Sequence, residues 1–548
     1  MQPSQCSNAY REIEAMRALH LIKIVAGLLL SPTAASAAAT VDAPPSAAIV
    51  HTQGGTLSGK VLPSGIRAYL GIPYAAPPVR DLRWRAPQPA PEWSDIRSAR
   101  EFGAQCFQPL RDATANSYAG AETMSEDCLY LNVWARPGTR RAPVIVYIHG
   151  GAFYTGAGSF PIYDGETIAR HGAVFVNLNY RVGPLGFLAL PELSAESPQG
   201  TSGNYGLLDQ IAALGWIKRN IAAFGGDPDN ITIVGQSAGS MSVLALQASP
   251  LAKGLFQRAV GMSGAMIAGA ITLPSRTDAE TAGSKLEAGW KATSLSQLRA
   301  MPADRLIVPR VPGGPSTGPA IDGYVLPGPI PEIFRSGEQA DVPLLVGFTR
   351  DEALGGMGPI SGLDEYRAKA KSLYGDRAER FLELFPAAND AEAKAQARLA
   401  DRDNTVALGM FSWAALQQTY GHAPVYSYEF AHPHSFAAGV TFSDLDPVKA
   451  GAYHTSEVPF WLGTLDSFNR FRHTRDWTAN DRRISEKMVN ALIAFARTGT
   501  PDVPSAEFPS FDASAPQLMM IADDLHPAPW PAREQLFFFD TSGKAPRP

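Results

Sequence analysis

The chain has 548 residues, of which 45% are hydrophobic and 18% are charged, enough apolar material for a large buried core. Its formal net charge of −5 gives no sign of a basic surface, so we expect no nucleic-acid partner. Length alone suggests several domains, but the 50 glycines and 45 prolines are spread along the chain, which favours one large enzyme domain with long loops.

The amino-terminal segment has the pattern of a secretory signal peptide. Basic residues precede the apolar run 24–30, and the small residues 35–37, Ala-Ser-Ala, form a pattern that signal peptidase accepts. The run is far shorter than the ~20 apolar residues that span a bilayer, so we expect export to the periplasm or the medium without a membrane anchor. The sequence therefore predicts a signal peptide over residues 1–37, with Met16 as an alternative start, and a single domain over residues 38–548.

The first predicted elements after this segment are strands. Apolar positions alternate between glycine turns over residues 50–71, which is typical of antiparallel strands at a sheet edge. Residues 125–134 change from an acidic loop into a strand, and residues 144–148 are nearly all apolar, as a strand covered on both faces requires. His149-Gly-Gly-Ala-Phe153 follows directly. Such a loop is often a mere turn, but small residues after a buried strand also let N–H groups point into a cavity, as an oxyanion hole needs.

Two cysteines, Cys106 and Cys128, remain after export, because Cys6 leaves with the signal peptide. They flank a polar loop of moderate length. An exported protein is removed from the reducing cytosol, which favours one disulfide over two free buried thiols. We therefore predict a Cys106–Cys128 disulfide.

Strands and helices alternate along the middle of the chain. Residues 173–178 indicate a buried strand, and residues 204–224 an amphipathic helix that Gly225 and Gly226 end. This alternation predicts an α/β fold with a largely parallel, doubly wound sheet that binds ligands at the carboxyl ends of its strands. The other predicted elements are strands at 258–263 and 342–348, helical insertions at 270–312 and 361–421, and a late helix at 484–497 before a proline-rich tail.

The candidate nucleophile is Ser237. Residues 231–234 are an apolar, β-branched strand, Gly235-Gln-Ser-Ala-Gly239 is a G-x-S-x-G turn, and residues 238–247 indicate a helix. A serine on such a strand-turn-helix has a strained backbone, and its hydroxyl lies at the carboxyl edge of the sheet. This strand-turn-helix around Ser237, the nucleophile elbow, also favours an oxyanion hole in the Gly-Gly loop that precedes it in the chain.

A serine nucleophile needs a base, and the base needs an orienting carboxylate. In this type of fold the acid follows the serine at the end of a strand, which leaves Asp351 and Glu352 as candidates. The histidines beyond them are His422, His432, His434, His454, His473 and His526. His454 lies in a loop that leads into an apolar, aromatic stretch, as is typical of a catalytic loop. His432 and His434 lack nearby carboxylates, so they are a poor set of metal ligands.

Five motifs together resemble the type-B carboxylesterase and cholinesterase family of α/β-hydrolases, over about residues 49–539. They are Glu126-Asp-Cys-Leu-Tyr-Leu-Asn132, His149-Gly-Gly-Ala-Phe153, Gly203-Asn-Tyr-Gly-Leu-Leu-Asp-Gln210, Gly235-Gln-Ser-Ala-Gly239 and Gly451-Ala-Tyr-His454. The resemblance implies a secreted α/β-hydrolase with long insertions over the active site, which hydrolyses small-molecule carboxylic esters without a metal or organic cofactor. It implies these roles: Ser237 as nucleophile, His454 as base, Glu352 as acid, and Gly151, Ala152 and Ala238 as oxyanion donors.

Two departures from the family bear on the substrate. Cholinesterases have a glutamate where this chain has Gln236, and a tryptophan where the matching residue is Tyr118, so choline esters are not expected. The chain is also similar to bacterial fumonisin esterases, which implies a bulky polycarboxylate ester such as a tricarballylate ester. The alternatives are a broad-range aryl or alkyl carboxylesterase, a lipase or a peptidase. A non-catalytic binding protein of the same fold is disfavoured, because such relatives lose the nucleophile or the base.

Overall fold

A computed structural model describes residues 48–117, 120, 123–308, 317–352, 354–504 and 506–540. The predicted signal peptide over residues 1–37 and Tyr118 lie outside the described residues. From Ala48 onward the described residues form one compact unit. No helix in these residues is both long and apolar enough to cross a membrane.

The described strands are β1 Ala48–Thr52, β2 Gly55–Val61, β3 Arg67–Pro73, β4 Arg97–Ser98, β5 Gln105–Cys106, β6 Met124–Ser125, β7 Tyr130–Ala135, β8 Ala142–Ile148, β9 Val174–Leu178, β10 Gly226–Gln236, β11 Arg258–Met262, β12 Leu344–Thr349, β13 Val425–Phe430, β14 Gln517–Ile521 and β15 Leu525–Pro529. The described α-helices are α1 Glu166–Arg170, α2 Gly183–Phe187, α3 Pro191–Glu196, α4 Tyr205–Asn220, α5 Ala238–Ala248, α6 Arg276–Trp290, α7 Leu295–Ala300, α8 Ile330–Arg335, α9 Leu363–Tyr374, α10 Ala378–Leu384, α11 Asp390–Arg402, α12 Leu408–Tyr420, α13 Val458–Leu462, α14 Ala479–Thr498 and α15 Arg533–Phe538.

The central sheet is mixed, with thirteen strands among the described residues. Twelve of them follow the order β1-β2-β3-β7-β9-β8-β10-β11-β12-β13-β14-β15, and β4 pairs with β2. The seven strands from β9 to β14 in this order are parallel to one another, whereas β9 pairs antiparallel with β7 and β14 pairs antiparallel with β15. The predicted α/β fold with a largely parallel core and antiparallel strands at residues 50–71 is therefore confirmed.

Strand β8 shows why the centre of the sheet is apolar on both faces. Val144, Val146 and Ile148 pack into one hydrophobic core. Ile145 and Tyr147 pack into a second core, because successive side chains of a strand point to opposite faces. All seven residues of β8 are buried, as a strand with helices on both faces requires.

The carboxyl-terminal part of the chain departs most from the sequence prediction. Residues expected to form only a proline-rich tail contain β14, β15 and α15. Strand β15 includes Pro527 and Pro529, which an edge strand tolerates because one side of it needs no ladder hydrogen bonds. Helix α14 begins five residues before the predicted start, where Thr478 and Asp481 form a capping box.

Candidate active site

Ser237 occupies a strained turn between β10 and α5. Its backbone has φ 58° and ψ −123°, which a non-glycine residue rarely adopts. A Cβ on Gly235 would lie 2.2 Å from the carbonyl oxygen of Gly239, and one on Gly239 would lie 2.0 Å from that of Ile148. Both glycines are therefore required for the close approach of β10, α5 and β8 that presents the serine at the carboxyl edge of the sheet.

The loop after β8 presents backbone N–H groups to the same region. Gly151 has φ 112° and Ala152 has φ 57°, so the backbone turns sharply at two successive residues. Within the described part of the chain, the N–H groups of Gly151, Ala152 and Ala238 donate to no protein acceptor. These three residues and Ser237 line one cavity. The unpaired donors suit an oxygen that becomes negative during a reaction.

His149 supports this loop and does not face the cavity. Its ring is buried and stacks on Tyr180 at 4.3 Å between ring centroids. Its Nδ1 lies 2.8 Å from the carbonyl oxygen of Gly150. Burial lowers the pKa of His149 to about 4, so the ring is neutral at pH 7 and holds the loop without adding a charge.

Glu352 and His454 meet beside the elbow. The carboxylate of Glu352 accepts hydrogen bonds from the Thr349 N–H at 2.7 Å and the Ser263 hydroxyl at 2.7 Å. Its other oxygen contacts His454 Nδ1. Since a carboxylate only accepts, Nδ1 carries the proton and Nε2 keeps its lone pair. Glu352 is fully buried, so packing and three donors fix its position.

Asp351, the other candidate acid, contacts the backbone of the histidine loop and not the imidazole. Its carboxylate accepts the N–H of Ala452 at 2.8 Å, and its own N–H donates to the carbonyl oxygen of Ala452 at 3.0 Å. A Cβ on Gly451 would lie 2.3 Å from the Asp351 carboxylate. Asp351 therefore fastens the loop that carries His454, while Glu352 contacts the ring.

The electrostatics of His454 result from two opposing effects. Burial lowers its pKa, but the charge of Glu352 and its hydrogen bond more than offset this, so the pKa lies above the ordinary value of 6.5. Nε2 of the imidazole lies 3.3 Å from Nε2 of Gln236. Among the described contacts there is no hydrogen bond between His454 and the hydroxyl of Ser237.

A second buried glutamate, which the sequence analysis did not select, extends this network. Glu457 Oε1 lies 3.1 Å from the hydroxyl of Ser263, which also contacts Glu352. Burial, followed by the charge of Glu352, raises the pKa of Glu457 to about 8. A protonated Glu457 can donate through Oε1 to Ser263 while Ser263 donates to Glu352, although Oε2 of Glu457 has no partner among the described residues. Its position three residues after His454, in an apolar stretch, was a signal that sequence reasoning could have used.

The other candidate histidines lie elsewhere. His454 is the one histidine among the residues described that lines the cavity. His432 contacts Asp481 at 2.7 Å, so the expectation that no carboxylate lies near it is wrong, because the fold brings α14 beside it. His434 contacts the carbonyl oxygen of Ser456 at 2.8 Å. The remaining three, His422, His473 and His526, are exposed.

The cavity that joins these groups has a volume of about 840 Å³. Its walls come from the loops after β8 and β10, from residues 111–117 and 467–474, and from the segment that leads into α6. A disulfide joins Cys106 to Cys128 and closes the loop that contains residues 111–117. A site of this size accommodates a drug-sized molecule.

The sheet order and the strained serine turn place the protein among the α/β-hydrolases. Residues 46–535 match the carboxylesterase family. The chain therefore belongs to the carboxylesterase family and is a carboxylic ester hydrolase, as the resemblance implied.

The similar proteins agree with this assignment. The chain is 36% identical to the para-nitrobenzyl esterase of Bacillus subtilis strain 168 over 495 residues, 87% of this chain and 95% of the relative. It is 35% identical to the fumonisin B1 esterase of Sphingopyxis macrogoltabida over 487 residues, 86% of each chain. A solved PNB esterase structure superimposes with a TM-score of 0.75 at 33% identity, covering 91% of this chain and 99% of that one.

Proposed function

We propose that the protein hydrolyses carboxylic esters through an acyl-enzyme on Ser237. The observation that carries this proposal is the meeting of the strained serine, the imidazole of His454 and three unpaired backbone N–H groups on one cavity, with Glu352 buried behind the imidazole. Each group has the chemistry that acyl transfer requires, and serine, base and acid occur in the chain order of this fold.

In the first half of the reaction, Nε2 of His454 takes the proton of the Ser237 hydroxyl as Oγ attacks the ester carbonyl carbon. The N–H groups of Gly151, Ala152 and Ala238 donate to the carbonyl oxygen, which becomes negative. Collapse of the tetrahedral intermediate breaks the bond to the alcohol oxygen, and the imidazolium returns the proton to it. The alcohol leaves, and the acyl group stays on Ser237.

In the second half, water replaces the alcohol. His454 takes a proton from the water, the oxygen attacks the acyl carbon, and the serine oxygen leaves with that proton, which releases the acid. Glu352 keeps Nδ1 protonated and stabilises the imidazolium in both halves. The raised pKa of His454 supports this role, because it strengthens the base once the ring is neutral.

Replacement of the nucleophile tests the proposal. We expect Ser237→Ala to lower kcat/KM for a 4-nitrophenyl ester at least ~10³-fold with the fold intact, because the hydroxyl forms the covalent bond. Ser372→Ala, an exposed serine on α9, is the matched control and should keep full turnover. A phosphonate probe should label Ser237 alone, as judged by peptide mapping. Label on another serine, or wild-type turnover in Ser237→Ala, would reject the mechanism.

We further propose that the enzyme is exported and that its natural substrate is a polycarboxylate ester such as fumonisin. The disulfide and the sequence of residues 1–37 support export. The neutral Gln236 beside the nucleophile supports an anionic substrate, because a carboxylate there would repel it. Release of tricarballylic acid from fumonisin, faster at low salt than at high salt, is the expected result. Good 4-nitrophenyl ester turnover with no tricarballylic acid would instead assign a broad-range carboxylesterase.

A further inference from the structure

A buried positive charge without an acidic partner lies behind one wall of the cavity. Arg475 is 1% exposed. Its guanidinium donates to neutral acceptors: the Asn116 side-chain oxygen, His434 Nδ1 at 3.1 Å and the Tyr453 hydroxyl at 3.2 Å. No carboxylate among the described residues lies within 4.0 Å of it. Burial of an uncompensated charge is costly, so this arrangement calls for an explanation.

Aromatic rings surround this guanidinium and connect it to a second arginine. The Arg475 guanidinium carbon lies 4.1 Å from the ring centroid of Phe436, 4.6 Å from that of Phe468 and 5.2 Å from that of Phe442. The guanidinium carbon of Arg472 lies 5.0 Å from the centroid of the same Phe442. Ring faces attract cations but carry no formal charge, so two positive charges remain close together. Burial lowers the pKa of Arg475, and the nearby Arg472 lowers it further, against the effect of Tyr453.

Two arginines line the cavity itself, in front of Arg475. Arg472 donates to the carbonyl oxygens of Thr441 at 2.9 Å and Thr114 at 3.1 Å, which uses two of the five N–H donors of a guanidinium. Arg111 is exposed and donates to Ser117 at 2.6 Å. Neither has a carboxylate within 4.0 Å among the described residues, so both keep donors for a ligand.

The acidic groups near this wall accept hydrogen bonds from residues other than its arginines. Asp278 is the one acidic residue of the described lining, and its carboxylate accepts from Ser275 at the start of α6. Asp112 is exposed, and its pKa is lowered by hydrogen bonds from Thr114 and to a smaller extent by the nearby charge of Arg472. Asp444 accepts the N–H of Asn116. The cavity-lining residues of the segments 111–117 and 467–474 therefore carry a net positive charge, which comes from Arg111 and Arg472.

We propose that this wall, the arginine wall, binds a free carboxylate of the ester substrate. Arg472 and Arg111 contact the carboxylate, and the charge of Arg475 adds attraction from behind. An arginine fork matches the two oxygens of a carboxylate, which gives orientation as well as affinity. The substrate class is thus an ester whose acyl or alcohol part carries a carboxylate, and the choice of this class rests on the ester hydrolysis proposed above.

A matched pair of substrates isolates the effect of the carboxylate. The mono-4-nitrophenyl ester of glutaric acid carries one, and 4-nitrophenyl valerate is a neutral ester of similar length. Wild-type enzyme should show the higher kcat/KM for the glutarate ester. Arg472→Gln should lower that value about tenfold and leave the valerate value within about twofold, as the loss of one charge-assisted hydrogen bond predicts. Arg111→Gln should act in the same direction with a smaller effect, because Arg111 is more exposed.

Arg470→Gln is the control for net charge, because Arg470 is an exposed neighbour outside the cavity lining. It should leave both substrates within about twofold of wild type. Equal kcat/KM for the two esters in wild type, an equal loss of both in Arg472→Gln, or the same loss in Arg470→Gln would overturn the arginine wall.

A binding measurement keeps this test independent of turnover. Calorimetry of the Ser237→Ala protein should detect binding of tricarballylate and no binding of its uncharged triamide. Arg472→Gln in the same protein should weaken the binding of tricarballylate about tenfold. If the enzyme hydrolysed neither nitrophenyl ester, the proposed reaction would fail while this measurement still decided the arginine wall. Equal binding of acid and triamide, or no change in Arg472→Gln, would reject it.

Discussion

Glu457→Gln should make the protein more stable, and the gain should grow with pH. The folded protein binds the Glu457 proton more tightly than the unfolded chain, because burial and the charge of Glu352 raise the pKa from the ordinary 4.5 to about 8. The stability that this proton contributes is complete below pH 4.5 and is lost as the pH rises towards 8. Glutamine cannot ionise, so the variant loses no stability through this group as the pH rises.

The magnitude follows from the width of this pH interval. Each pH unit between the two pKa values lowers the free energy of unfolding of wild type by about 1.4 kcal/mol. The free energy of unfolding of the variant should therefore exceed that of wild type by about 3 kcal/mol more at pH 7 than at pH 4.5, and by about 5 kcal/mol more at pH 8.5. Glutamine keeps a donor for Ser263, so turnover at pH 7 should remain. Urea unfolding of both proteins from pH 4.5 to 9 measures the gain.

The control variant is Glu338→Gln, an exposed glutamate after α8. Its unfolding free energy should differ from wild type by less than about 0.5 kcal/mol at every pH. If the difference between Glu457→Gln and wild type did not change with pH, the assignment of a protonated Glu457 at pH 7 would be wrong.

Three further predictions concern the site and the mature chain. Glu352→Gln should lower kcat/KM more than Asp351→Asn, because the Glu352 carboxylate contacts the imidazole and the Asp351 carboxylate contacts the backbone. A larger loss in Asp351→Asn would assign the acid role to Asp351. Gln236→Glu places a carboxylate near Nε2 of His454, so the acid limb of the pH profile should move to higher pH and the preference for anionic esters should fall. Intact-mass analysis of the exported enzyme should show a start after residue 37 and a gain of two hydrogen atoms on reduction; free thiols before reduction would contradict the disulfide.

The elbow was predictable because its signal is local. Gly235, Ser237 and Gly239 are constrained by neighbours within the same turn and by a strand whose apolar pattern is plain in the sequence. The same holds for the loop at Gly151 and Ala152, whose small residues follow a strand with no polar position.

The acid could not be chosen from spacing, because Asp351 and Glu352 are adjacent and follow the same strand. What separates them is the position of the histidine loop, which arrives about 100 residues later and places Ala452 against one carboxylate and the imidazole against the other. The arginine wall has no local signal at all. Arg475 and Asn116 contact each other across 359 residues, and only the fold brings them together.

If the arginine wall binds carboxylates, the Cys106–Cys128 disulfide holds a loop that helps to set substrate specificity. The loop that it closes carries Arg111, and its ends are fixed by the bond and by the pairing of β5 with β6. The proposed catalytic groups come from the ends of sheet strands and from loops outside residues 106–128. Replacement of residues 109–123 by the equivalent loop of a relative keeps β6 and also Gln108, which bonds to the backbone of Gly156, so we expect it to change the preference between acidic and neutral esters without loss of hydrolysis.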